Sequence, residues 1–245
     1  MSRQPRSQSI SGYYHVILRG NNRQILFENR KDAHVFLALL KKYRVITSID
    51  LLAYCLMDNH VHLLICDKDD CMSDFMHRVE VAYTLYFRES HEYTGHLFQG
   101  RYKSIAIVDE RQLVAAFRYI LLNPEKAGIA SATEYRWNSY HEYDKTDAIS
   151  SPGIIRKMIG NKDSLTSFLY SDYDAEYYAT SGKRINDADA ITILKKLSGL
   201  TDVFELSGLN PQTRNRILRD ALKRGVSIRQ LSRITGVGKG VIQKL

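Results

Sequence analysis

The chain has 245 residues, 44% hydrophobic and 25% charged, enough for one large domain or two small ones with real cores. No apolar run nears the ~20 residues that span a bilayer, and the polar, basic start lacks the apolar stretch of a secretion signal, so a cytoplasmic, non-membrane protein is expected. The formal charge of +8 is local: residues 214–245 carry nine basic residues and one acidic residue, and the rest of the chain is balanced. Such a block in a folded segment is the footprint expected for a polyanion.

In chain order, Tyr13–Leu18 reads as a first strand that runs into a polar loop, Arg19-Gly20-Asn21-Asn22-Arg23-Gln24. Arg19 and Arg23 suit phosphates or base edges there, and a plain solvated turn is the alternative. A helix over roughly Lys31–Tyr43 follows from the helical spacing of Val35, Phe36, Leu39 and Leu40. Then Leu51–Met57 and His60–Cys66, two apolar runs parted by Asp58-Asn59, read as a tight β-hairpin. Alternation puts His60 and His62 on one face, about 7 Å apart at Cα, where two imidazoles can converge on one metal ion or simply cap a wet strand end. Cys55, Cys66 and Cys71 form no CxxC pair and read as reduced, structural thiols.

A second helix spans about Ser73 to Glu89 with Ser73 as cap. The run Gly95–Lys103 offers aromatic faces for stacking beside the cations Arg101 and Lys103, as single-stranded nucleic acid requires, or is an ordinary loop into the strand Ser104–Val108. Asp109 and Gln112 mark the start of a third helix, and Asn123-Pro124 marks its end. Ala115, Tyr119 and Asn123 fall at steps of four, on a stripe read as facing away from the core. Apart from this last helix the order is the split βαβ pattern of a ferredoxin-like antiparallel sheet with helices on one face, an α+β domain. If the Tyr119 stripe meets the sheet edge bearing His60 and His62, two imidazoles, an amide oxygen and a phenol share one site. A divalent cation on such neutral ligands keeps its charge for a phosphate, and the phenol can attack phosphorus.

The domain organisation expected is 1–144 catalytic, 145–185 linker and connecting helices, and 186–245 helical and DNA-binding. Helices over Gln212–Arg224 and Val226–Thr235, a turn at Gly236-Val237-Gly238, and a short helix from Lys239 to Leu245 suggest a helix-turn-helix. Its seam is Ile228, Leu231, Ile234, Val237, Val241 and Ile242. Arg229, Lys239, Gln243 and Lys244 are candidates for duplex DNA.

Three stretches in order carry a resemblance: Asp-Asn-His-Val-His-Leu-Leu of the hairpin, Phe98-Gln-Gly-Arg-Tyr-Lys-Ser104, and Tyr119-Ile-Leu-Leu-Asn123-Pro124. Over Tyr13–Tyr143 the chain resembles the single-tyrosine HUH transposases, in particular the REP-associated tyrosine transposases. The resemblance implies an HUH nuclease fold, Mg²⁺ or Mn²⁺ on His60 and His62, and Tyr119 as the nucleophile toward single-stranded or hairpin DNA. It also implies a 5′-phosphotyrosine intermediate, with Asn123 standing where a glutamine often supplies the third ligand. Family members include monomers and homodimers. Tyr83, Tyr86 and Tyr102 are rival nucleophiles, but none has an amide four residues on. Two other readings compete: a non-catalytic DNA-binding regulator working through its C-terminal helices, and a zinc hydrolase with Asp58 as base.

Overall fold

A computed structural model describes residues 9–171, 187–224, 226–243 and 245. Residues up to Ser171 belong to one compact unit and those from Asp187 to a second.

The first unit is built on a four-stranded antiparallel sheet in the order β2-β3-β1-β4, with β1 Tyr13–Arg19, β2 Asp50–Met57, β3 His60–Cys66 and β4 Lys103–Ile107. Helices α1 (Arg30–Ile46) and α2 (Met72–His91) make the two crossovers, which is the ferredoxin-like topology. Alternation sends Val16, Leu18, Val61, Leu63 and Ile65 to one face, where they join Phe36, Leu40, Phe75, Val79 and Tyr83 of α1 and α2 in a closed core. The α1 start is tied down by a capping box between Asn29 and Asp32. Buried Asp32 also accepts hydrogen bonds from the Tyr86 hydroxyl (2.8 Å) and His91 Nε2 (3.0 Å), which joins the head of α1 to the last turns of α2. Helix α2 starts one residue before the expected Ser73, with Cys71 as its N-cap.

Helices α1 and α2 share one face of the sheet as expected, and α3 (Glu110–Leu121), the helix outside that pattern, lies on the other face. Its start is as the sequence indicates: Asp109 accepts from Gln112 N–H, and Gln112 Oε1 reaches back to Val108 N–H, each at 2.7 Å. Pro124 does more than stop it. After Leu122 the chain makes one further turn, α4 (Asn123–Lys126), with proline near its start, where a missing N–H costs nothing.

The open edge of β2 is covered by the segment after α4: Leu56 N–H donates to Trp137 O at 2.8 Å, and Tyr54 N–H to Ser139 Oγ at 3.0 Å. The stretch after Tyr143, expected as linker and connecting helices, also packs on this unit. Ser151 N–H donates to Leu51 O, and α5 (Gly153–Ile159) and α6 (Lys162–Leu169) are held through Tyr143 OH to Gly160 O and Arg118 to Leu169 O.

The second unit contains α7 (Asp187–Ser198), α8 (Pro211–Lys223), α9 (Ile228–Thr235) and α10 (Lys239–Ile242) among its described residues. Ser227 and Gln230 form a capping box on α9, and Gly236 ends it in the left-handed conformation at φ 73°. Leu231, Ile234, Val237 and Ile242 are buried with Leu194, Leu206 and Leu218. Val241 departs from the expected seam: it is 41% exposed, because α10 is a single turn and cannot bury two adjacent positions. No helix among the described residues is long and apolar enough to cross a membrane.

Candidate functional site

The hairpin has the expected two-residue turn at Asp58-Asn59, with Met57 opposite His60 and Cys55 opposite His62. Across the sheet, β1 places Arg19 opposite His60 and Ile17 opposite His62. Residues directly opposite share a face, so Arg19, Ile17 and His15 line up beside the two histidines. Lys103 of β4 pairs with Ile17 and joins the same face.

Both candidate ligands are held by their Nδ1 atoms. His60 Nδ1 is 2.8 Å from Asn59 Oδ1, and His62 Nδ1 is 2.8 Å from Nε2 of His15. The Asn59 amide is oriented by its own Nδ2, which donates to Arg23 O at 3.4 Å. His60 must therefore donate from Nδ1 and keep its Nε2 lone pair for the site. Burial is the main cause that holds both imidazoles below the ordinary histidine range. Arg19 adds to it at His60, where Asp58 and Asn123 partly oppose, and His15, His60 and Arg19 add to it at His62. The pair is thus held neutral at neutral pH, as metal ligation requires.

Helix α3 brings Tyr119 to this pair. The Tyr119 ring stands edge-on to His62 and to His15, each at 5.9 Å between centroids. The stripe of Ala115, Tyr119 and Asn123 was expected to face away from the core and instead turns onto the sheet; Ala115 is 3% and Asn123 9% exposed. The apolar sheet face needs a cover, and α3 supplies it with this stripe. Ala115 leaves room for the histidine rings. Asn123 lies close enough to His60 to oppose the lowering of its pKa, while its Nδ2 is buried with no hydrogen-bond partner. The orphan atom is a donor, which a cation does not satisfy; the amide oxygen is the Asn123 atom able to serve an ion. Lys126, one turn on, holds its ammonium 4.3 Å from the Tyr119 ring centroid. Burial lowers the Lys126 pKa, and Arg118 lowers it further.

Among the described residues no three His, Cys, Asp or Glu side chains gather into a metal cage. The donor set available is His60, His62 and the amide of Asn123. Two imidazole nitrogens and one amide oxygen would leave positions open on a divalent ion.

The polar loop and the Gly95–Lys103 run are laced together next to the turn. Gly20 N–H donates to Asn59 O (2.9 Å), Asn21 N–H to Leu97 O (2.8 Å) and Gln99 N–H to Arg19 O (2.8 Å). Gly20 is required by close approach, since a Cβ there would lie 2.2 Å from Gln24 O. Arg23, at φ 61°, and Arg101 are exposed on these loops. The aromatics of the run are not available for stacking: Phe98 and Tyr102 are 8% and 7% exposed, turned inward to complete the core over α2. Arg229, Lys239 and Gln243 are exposed on the second unit, and Lys244 lies outside the described residues. Sequence reasoning missed His15 and Lys126. The His15 signal was present in the alternation of β1, but its use needs the β1–β3 pairing.

Residues 8–122 match the family model described as "Transposase IS200 like". Over that stretch, just under half of its length, the chain is similar to the IS200-like transposases. No curated protein sequence matches it significantly. Among solved structures it is similar to a REP-associated tyrosine transposase bound to a REP hairpin, at 17% identity and a TM-score of 0.50, over 62% of this chain and 92% of that one. A candidate transposase from Deinococcus radiodurans is similar at 19% identity and a TM-score of 0.35, over 49% of this chain and 95% of that one.

Proposed function

We propose that the protein cuts and rejoins single-stranded DNA through a covalent link to Tyr119, with a divalent ion, Mg²⁺ or Mn²⁺, held by His60, His62 and Asn123. The observation that carries the reading is the meeting of the Tyr119 ring with His62 in one chain. The bound ion would polarise the scissile phosphate as a Lewis acid. Tyr119 loses its proton and its oxygen attacks phosphorus; the P–O3′ bond breaks, and the departing oxygen takes up a proton as a free 3′-OH. The 5′-phosphotyrosine keeps the energy of the broken diester, so the reverse attack by a 3′-OH rejoins the strand and frees the phenol.

Lys126 lies over the Tyr119 ring, where its charge suits a phosphate brought to that ring. Arg19 and Lys103 flank the histidines on the same face and suit the flanking phosphates. The hairpin-bound structural neighbour supports a hairpin-bearing single strand as the substrate class. In the second unit, α9, the Gly236 turn and α10 are read as a helix-turn-helix that holds duplex DNA through Arg229, Lys239, Gln243 and Lys244.

The test is a labelled single strand incubated with Mn²⁺ and run on a denaturing gel. A covalent adduct is expected from the native protein and none from Tyr119→Phe. An adduct that persists in the variant would exclude Tyr119 as nucleophile. Absence of any adduct from the native protein, with duplex binding retained, would leave a DNA-binding regulator.

A further inference from the structure

We propose that His15 is a positioning residue of this site: its Nε2 accepts the Nδ1–H of His62 and so presents the Nε2 lone pair of His62 to the divalent ion. The inference rests on the metal reading above. It concerns what makes His62 able to ligate at all.

The two histidines of the hairpin are supported differently. An amide oxygen behind His60 admits one tautomer only. Behind His62 stands a second imidazole, which can either donate or accept. If His15 donates Nε2–H, then His62 Nδ1 accepts, His62 carries its proton on Nε2, and ligation there is blocked. If His15 carries its proton on Nδ1, the bond reverses and His62 Nε2 is free to ligate. The pair is therefore a two-state element, and a cation selects one of the states.

The geometry favours a dedicated support over chance packing. His15 is 1% exposed, and the rings stack at 5.0 Å and 23° with the nitrogens 2.8 Å apart. The register explains the meeting: His62 lies opposite Ile17, so His15 is its diagonal neighbour across β1 and β3, within reach of long side chains. The Tyr119 ring also rests edge-on against His15. One buried ring thus fixes the orientation of a candidate ligand and the seat of the candidate nucleophile. Outer-shell partners of metal-bound histidines typically govern affinity 10–100-fold.

The experiment compares Mn²⁺ binding by the full chain carrying His15→Gln or His15→Phe, read by electron paramagnetic resonance with ¹⁴N coupling. Glutamine offers an acceptor oxygen near the position of Nε2; phenylalanine keeps the volume and offers none. Near-native affinity in His15→Gln is expected, with a loss of about 10–100-fold and of one imidazole's ¹⁴N coupling in His15→Phe. Equal affinities and couplings in the two variants overturn the proposal. If Phe prevents folding, His15→Leu takes its place beside His15→Gln, with the same readout and the same expected difference. His60→Ala serves as the control for the site itself: native-like Mn²⁺ binding there, or none by the native protein, removes the metal reading and this inference with it.

Discussion

The Tyr119 ring meets the His62 imidazole edge-on, 5.9 Å between centroids and 78° between planes, within a single chain. The proposed nucleophile and the proposed metal ligand can therefore serve one phosphate without a second subunit. A mixture of Tyr119→Phe and His62→Ala proteins is expected to form no covalent adduct, because neither chain holds both parts. Recovery of adduct in the mixture would show that the tyrosine is supplied from a partner.

Lys126 gives a second prediction. Its ammonium lies 4.3 Å from the Tyr119 ring centroid, close enough to pair with a phosphate brought to that ring. Lys126→Met should slow adduct formation about fivefold, with Mn²⁺ affinity unchanged. An unaltered rate in a folded variant would count against the role.

Metal loading has a pH signature. Burial, above all, depresses the pKa of both His60 and His62, so protons compete with the ion only below the ordinary histidine range. Mn²⁺ affinity should stay level as pH falls from 8 through about 6.5 and decline only beyond it. A steep loss already between about pH 7.5 and 6.5 would mean ordinary, solvated imidazoles.

Asp32 sets acid stability. Burial alone would raise its pKa, but hydrogen bonds from His91, Tyr86 and the Asn29 backbone outweigh it and hold the pKa below the usual value. The carboxylate therefore contributes stability above its unfolded pKa of about 3.9, and that contribution is lost as pH falls through the lower folded pKa. Asp32→Asn should cost about 2–3 kcal/mol at pH 7 by denaturant unfolding, with a smaller deficit near pH 3. A deficit that does not change with pH would rule out the charge as its source.

The second unit predicts a salt dependence. If Arg229 and Lys239 each neutralise one phosphate, replacing both with glutamine should flatten the slope of log affinity for duplex DNA against log salt by about 1.8. Cleavage of short single strands should persist. A slope equal to the native one would remove these residues from the interface.

Much of the first unit was legible because its signals are local. The hairpin announces itself by two apolar runs and a two-residue break, and the α3 start by Asp109 and Gln112. The role proposed for Tyr119 comes from the four-residue step to Asn123 and a family resemblance, both properties of sequence. What escaped was tertiary. Nothing local tells that α3 covers the second face of the sheet, so its stripe was turned the wrong way. Phe98 and Tyr102 have a composition suited to stacking, yet the core over α2 claimed them. His15 looked like one more polar residue in a strand, because its importance lies in β1–β3 register, which links positions 47 apart in sequence.

The two-residue turn between β2 and β3 carries one further consequence. Asn59 shapes that bend and at the same time grips the His60 ring, while its backbone carbonyl anchors Gly20. Loop length and ligand orientation are one property here. A single inserted residue at the tip would leave the sheet intact and still rotate an imidazole out of alignment, so drift in a surface bend can silence the chemistry without unfolding the protein.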